Sequence, residues 1–229
     1  MRYKRVNIDS LNLSAEQMES IFIYNSDYTI EPVKTKSVFS PKVWSATFGK
    51  ALKPNIVEAK IIHTHLGLTL PLKTFSVTPK SQTIEFAGLH GYNERSRLLM
   101  QTLNESKSQL QHTRVMRIDI AIDFNGQIPK RVITALSKHR EPFKYGNTTY
   151  YKTAKEKKVN RVMDIKIYDK KHQAKLDGDL MRLEFCFKSE YLKKVPLKDI
   201  KTLYLKMEKS IKKATGMSVK INHILDLKK

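Results

Sequence analysis

A single cysteine, Cys186, stands in 229 residues, which excludes a disulfide framework and any cysteine-rich zinc module. Glycine and proline are scarce at eight each, and with 40% hydrophobic residues the chain is neither collagenous, disordered nor of low complexity. No apolar run approaches the roughly 18 to 20 residues that a membrane span needs. The opening MRYKRVNIDS has basic residues without an apolar stretch behind them, so no signal peptide is expected. Also missing are G-x-x-x-x-G-K-[ST], G-x-G-x-x-G, H-E-x-x-H and G-x-S-x-G, so no ATPase motor is visible. These absences lead to the expectation of a soluble, cytoplasmic protein with no membrane partner.

Acidic residues are scarce too: 22 Asp and Glu face 43 Lys and Arg, a formal charge of +21 and a pI near 9.9. Such an excess is the footprint of a polyanion binder, and nucleic acid is the usual polyanion because neutralised phosphates release counterions. A solvated lysine-rich surface is the bland alternative. The charge is uneven. Residues 1–129 hold 16 basic and 11 acidic groups, a net of +5, whereas residues 130–229 hold 27 and 11, a net of +16. The second region is where a phosphate backbone is expected.

Periodicity gives a coarse element map. Ser14 and Gln17 form a capping box for a helix carrying Met18, Ile21 and Phe22. Strand patterns follow in VWSATFG, AKIIHTHLGL, KTFSV and QTIEF, then a helix with Leu99, Leu103 and Leu110. Residues 116–214 read β-α-β-β-β-α: MRIDIAIDF, a helix opened by Pro129, NTTYYKT, MDIKIYDK, MRLEFCFK, and a last helix with the stripe Leu197, Ile200, Leu203/Tyr204, Met207, Ile211 and Ala214, capped by Gly216. This is an α+β plan, an antiparallel sheet with helices packed on one face. No linker marks a domain cut. The expected division is an N-terminal α+β region, 1–112, as the DNA-binding half, and a basic catalytic α+β core with a C-terminal helix, 113–229, with a single domain as the alternative.

Alternation sorts the chemistry. In MRIDIAIDF, Ile118, Ile120 and Ile122 share the face expected to be buried, leaving Arg117, Asp119, Ala121 and Asp123 on the other. Aspartate is depleted in strands, so two on one face are unusual. At about 13 Å apart along a flat strand they share a metal only through a bulge, or else one binds and the other orients. A polar face pairing with lysines across the sheet is the plain structural alternative. MRLEFCFK buries Leu183, Phe185 and Phe187 and leaves Arg182, Glu184, Cys186 and Lys188 opposite. Asp119, Asp123 and Glu184 together would be three hard oxygen ligands suited to Mg²⁺ or Mn²⁺. MDIKIYDK leaves Asp164, Lys166, Tyr168 and Lys170 on its polar face. A phenol with a reference pKa near 10 needs cations or a metal to become a nucleophile, and Lys166 and Lys170 are placed to lower the pKa of Tyr168. An edge tyrosine covering the core is the structural alternative. Tyr150 and Tyr151 on the preceding strand are competing nucleophiles. His63 and His65 would share a strand face and could chelate, but an ordinary pair of strand histidines is the better reading.

The order of these segments, IEFAGLHGYNE, RIDIAIDF, TTYYKT, IKIYDKKHQ and RLEFCFK, resembles the rolling-circle replication initiation factors of plasmids, mobile-element relaxases and filamentous-phage gene II proteins. Their pattern comprises an R-x-D-x-x-x-D strand, a T-x-Y-x element, an [RK]-x-Y-[DEN]-K strand and an R-[LIV]-E strand; the resemblance spans about residues 84–190. It implies an HUH-endonuclease-like nicking core and a metal-dependent single-strand DNA endonuclease and ligase, in which a tyrosine becomes linked to the 5′ phosphate and frees a 3′ hydroxyl. Carried onto this chain, it implies Tyr168 as nucleophile with Lys166 and Lys170 beside it, and Asp119, Asp123 and Glu184 around Mg²⁺ or Mn²⁺. The departures are Lys171, His172 and Gln173 where the family has an acid, and Lys152 and Thr153 where it has glycine. Arg117, Lys152, Lys155, Lys157, Lys158, Arg161 and Arg182 are the expected DNA contacts. Origin DNA, a host helicase and polymerase, and a second copy of the chain are the partners that the resemblance implies. A non-catalytic origin-binding or copy-control protein, and a metal nuclease using water, are the alternatives.

Overall fold

The computed structural model describes residues 5–15, 28–35, 56–65, 68–74, 82–89, 92–153, 162–171 and 179–221. In chain order these form β1 (Arg5–Ala15), β2 (Tyr28–Thr35), β3 (Ile56–His63), β4 (Leu68–Thr74), β5 (Gln82–Ala87), α1 (Glu94–Glu105), α2 (Lys107–Leu110), β6 (Arg114–Asn125), α3 (Lys130–Ser137), β7 (Glu141–Tyr145), β8 (Thr148–Lys152), β9 (Met163–Asp169), β10 (Leu180–Lys188), α4 (Ser189–Leu192), a 3₁₀ turn (Leu197–Asp199) and α5 (Lys201–Thr215). The architecture is α+β with an antiparallel sheet, as the periodicity predicts. No described helix is long and apolar enough to cross a membrane.

Two compact units divide the chain, one of residues 1–10 with 117–229 and the other of 11–116. The division falls at 116/117 rather than 112/113, and the first ten residues go with the C-terminal unit. β1 is shared between the two, and its sequence shows where. Val6 and Ile8 are buried at even positions, Leu11 and Leu13 at odd ones, so the apolar parity changes across Ser10. Ser14 lies inside this strand and not at a helix start, because the alternation of NIDSLNLSA outweighs the capping signal. Gln17, Met18, Ile21, Phe22 and the segment VWSATFG lie outside the described residues.

Within the 11–116 unit, β2, β3, β4 and β5 are successive antiparallel neighbours. The α1 helix starts at Asn93, whose side chain accepts from the Ser96 N–H at 2.9 Å. Leu99 and Leu103 are the buried positions of its stripe, and α2 adds buried Leu110.

The other unit positions the chemistry. Its strands run in the order β1-β6-β10-β9-β8-β7, with β6 to β7 antiparallel throughout. The apolar face carries Ile118, Ile120 and Ile122, then Leu183, Phe185 and Phe187, each fully buried. Tyr151 belongs to this face, opposite Ile165, and α3 lies over it, with Ser137 hydrogen-bonded to the Tyr151 side chain. The α3 helix begins after Pro129 and buries Val132 and Leu136. It packs on α5, whose buried Tyr204, Met207, Ile211 and Ala214 match the expected stripe. Gly216 ends α5 at φ 72°, the left-handed cap position that favours glycine, with its N–H on the Lys212 carbonyl at 2.8 Å.

One strand escapes the periodicity reading. β7 is exposed along its whole length and so has no alternation to detect. It pairs with β8 through the two-residue loop Gly146-Asn147, with Gly146 at φ 54° in the first central position of a tight hairpin. Residues 116–214 therefore run β-α-β-β-β-β before their last helices.

Candidate functional site

Antiparallel register assembles the polar face row by row. On β10, Cys186 stands opposite Asp119 of β6 and Asp164 of β9; Glu184 opposite Ala121 and Lys166; Arg182 opposite Asp123 and Tyr168. Beyond β9, Lys166 pairs with Tyr150 and then Phe143, and Tyr168 pairs with Thr148 and then Tyr145. The sequence-predicted set Asp119, Glu184, Lys166, Tyr168 and Arg182 does share one face.

That face is not a solvent face. Asp119, Asp123, Arg182 and Glu184 are all at most 2% exposed, so both faces of β6 and β10 are buried. Burying charge is costly unless each charge is paired and hydrogen-bonded, and here each is. Arg182 donates to both oxygens of Asp123, at 2.7 and 2.9 Å, and to Asp9 at 2.5 Å. Arg117 grips Asp119 in the same two-pronged way, at 2.8 and 2.6 Å. Glu184 accepts from the Tyr168 hydroxyl at 2.5 Å, lies 2.8 Å from the Lys166 ammonium, and accepts from the Cys186 thiol at 3.4 Å. Lys188 pairs with Asp164 at 2.5 Å. Asp9 was invisible to motif reading; its signal is the polar alternation Asn7, Asp9 inside an otherwise apolar strand.

Electrostatics follow from this packing. Burial pushes the Asp119 carboxyl up to about 6, helped by the Glu184 charge and opposed by the Arg117 hydrogen bonds. Burial also acts to raise Glu184, but the Lys166 ammonium and the Tyr168 phenol outweigh it and hold that carboxyl below its ordinary range. Lys166 is correspondingly raised, because Glu184 overcomes the effect of its own burial. Burial, then the Glu184 carboxylate, drive the Tyr168 phenol well above its ordinary value. This corrects the expectation that lysines would lower it. Both ammonium groups do sit over the ring, Lys166 at 5.5 Å and Lys170 at 5.9 Å from its centroid, yet burial lowers the pKa of Lys170 itself.

Tyr150 is placed differently. It is half-buried, directly across from Lys166, with the Lys152 ammonium 5.6 Å from its ring centroid. Tyr151, on the opposite face, is buried against the core. The face reaches solvent at Lys166 and Arg117, whose side chains are 21% and 35% exposed. A hollow of about 680 Å³ lies at the hairpin end of these strands, between Lys144, Thr148, Thr149, Tyr168, Asp169 and Met181.

Among the described residues, one group on this face has the ligand atoms to hold a divalent ion. A ligand atom from each of Asp119, Glu184 and Cys186 lies within 4.8 Å of the others. Two hard oxygens suit Mg²⁺ or Mn²⁺. Asp123, expected as the third carboxylate, is instead bonded to Arg182; the third member of the group is Cys186, a soft donor whose thiol burial holds well above its ordinary pKa. His63 ends β3 and His65 falls in the turn after it, so the two do not share a strand. Lys155, Lys157, Lys158, Arg161 and His172 lie outside the described residues.

No family model matches the chain, and none of the curated proteins does. Among solved structures it is similar to a rolling circle replication initiator protein from Geobacillus stearothermophilus, at 12% identity and a TM-score of 0.45, over 88% of this chain and 84% of that one.

Proposed function

We propose that this chain is a replication initiator that nicks one strand of its origin DNA by tyrosine transesterification. The observation that carries the reading is the register that sets Glu184, Lys166 and Tyr150 in one row of adjacent strands, with Asp119 in the same acidic group as Glu184. The strong basic excess of residues 130–229 supplies the attraction for a phosphate backbone.

In this reading the nucleophile is Tyr150. It is half-buried, stands across the strand pair from Lys166, and has the Lys152 ammonium 5.6 Å from its ring centroid. The Tyr168 hydroxyl, by contrast, is committed to Glu184, and burial raises its pKa well above the ordinary value. Its role is to hold Glu184 in place. The Tyr150 oxygen attacks the scissile phosphorus, an O–P bond to the 5′ phosphate forms, and the bond to the 3′ oxygen breaks. The phenol loses its proton to solvent, and the departing 3′ oxygen takes one up. Lys166 and Arg117 stabilise the charge on the phosphate oxygens. A divalent ion bound by Asp119 and Glu184 would polarise the phosphate. Origin DNA and the host helicase and polymerase are the partners that such a role requires, with a homodimer as one form the chain could act in.

Incubation with end-labelled single-stranded origin DNA and Mn²⁺ tests the reading. A covalent 5′-phosphotyrosyl adduct that survives denaturation is expected with the native chain and is lost in Tyr150→Phe. If Tyr168→Phe alone abolishes it, the nucleophile moves to β9. Cleavage that survives in both variants and in Tyr151→Phe means that water is the nucleophile.

A further inference from the structure

The polar face does not stop at Tyr150. It continues onto β7, where Phe143 stands opposite Tyr150 and Tyr145 stands opposite Thr148. These two rings are 56% and 74% exposed, two of the four large hydrophobic side chains most open to solvent among the described residues. An exposed ring pair on an edge strand is costly to keep, since it invites aggregation. Pro142, which lacks a backbone donor, and the charged Glu141 and Lys144 sit on the same strand and blunt its edge.

We propose that Phe143 and Tyr145 form a stacking platform for the bases of single-stranded nucleic acid, next to the phosphate-binding row. Three observations select that occupant. Both rings lie on the face that carries Tyr150, Lys166 and Glu184, so a strand tracking across it meets phosphate-binding and aromatic groups in turn. At the roughly 4.8 Å spacing between strands, Phe143 is one step beyond Tyr150 and about 10 Å from Lys166, within reach of bases flanking a phosphate held there. Finally, the described residues 138–153 and 162–171 hold seven Lys and Arg against three Asp and Glu, a net of +4, which complements a nucleic acid and would repel a second copy of the same surface. Aromatic faces interleaved with dispersed cations are what sequence-tolerant single-strand binding requires. A duplex, with its bases already stacked on each other, offers the rings nothing. The identity of the strand as the one being nicked rests on the reading proposed above; the stacking itself does not.

The test is fluorescence anisotropy of a labelled oligothymidine and of a mixed-sequence duplex of equal length, with the native chain, Phe143→Ala, Tyr145→Ala and Phe143→Trp. Each alanine should weaken oligothymidine binding about ten-fold, by the same factor at low and moderate salt, and leave duplex affinity unchanged. Phe143→Trp should bind at least as well as the native chain. Equal losses on duplex and single strand, or no loss on either, overturn the platform. So does a dimer in sedimentation that the alanines dissociate while affinity per chain for oligothymidine stays the same. Adduct formation with origin DNA is scored separately. If the rings matter and the native chain forms no adduct, the platform stands and the nicking reading falls; if the adduct forms and the rings do not matter, the reverse holds.

Discussion

Two parts of one sheet face use the same residue types to opposite ends. Between β6 and β9 the carboxylates and Arg182 are buried and every one is paired: Arg182 with Asp123 and Asp9, Lys166 with Glu184, Arg117 with Asp119. On β8 and β7 the face opens, with Tyr150 half-buried and Phe143 and Tyr145 in water. The contrast is sharpest between two tyrosines. In the closed part a carboxylate holds the phenol of Tyr168 and burial keeps it protonated; in the open part Tyr150 has lysines and no carboxylate partner on its own strand. A closed network gives fixed geometry, and an open edge gives access. Neighbouring strands of one sheet supply both.

The largest effect that bears on this comparison is on the adduct. Tyr150→Phe should reduce it to background while origin binding persists, whereas Tyr168→Phe should leave a reduced but measurable yield. Equal yields would erase the distinction between the two parts. Next in size is the closed network. Arg182→Met strands two buried carboxylates and should cost about 3–5 kcal/mol in urea unfolding, because breaking a buried ion pair leaves uncompensated charge. A loss no larger than that of an exposed lysine would mean that the network is not closed.

The pH dependence separates the parts again. The Asp119 carboxyl, raised to about 6, is ionised above that pH and protonated below it. Affinity for Mn²⁺, followed by calorimetry, should therefore fall about ten-fold per pH unit below 6, while oligothymidine binding on the open part barely moves. The smallest effect is expected at the hairpin. Gly146→Ala places a Cβ in open space but at φ 54°, and should cost about 1 kcal/mol from the backbone conformation alone.

Strict alternation made β6 and β10 legible residue by residue, and it correctly placed Asp119, Glu184 and Arg182 on one face. The apolar stripe and Gly216 did the same for α5. What alternation does not carry is burial of the second face. An isoleucine row implies one buried side and says nothing about whether the aspartates opposite are wet or paired. For that reason the fixing of Tyr168 by Glu184, and the diversion of Asp123 to Arg182, could not be read in advance. β7 was missed for the converse reason: a strand exposed on both faces has no periodic signal, and only the Gly-Asn pair in EPFKYGNTTYYK hints at its turn. The reading of Ser14 as a cap lost to strand pairing, since capping sequences recur wherever a serine precedes a glutamine by three.

The bond between Arg182 and Asp9 joins residues 173 positions apart. During synthesis at about 5–20 residues per second, Asp9 leaves the ribosome roughly ten to thirty-five seconds before its partner. Asp9 and Asp123 are thus made before their shared partner, and until β10 arrives neither carboxylate has the Arg182 guanidinium. Folding of that unit therefore waits on a long-range closure that local elements cannot accelerate. A tag or fusion that tethers residues 5–10 elsewhere would then slow formation of the whole buried polar face, although most of its residues lie more than a hundred positions away.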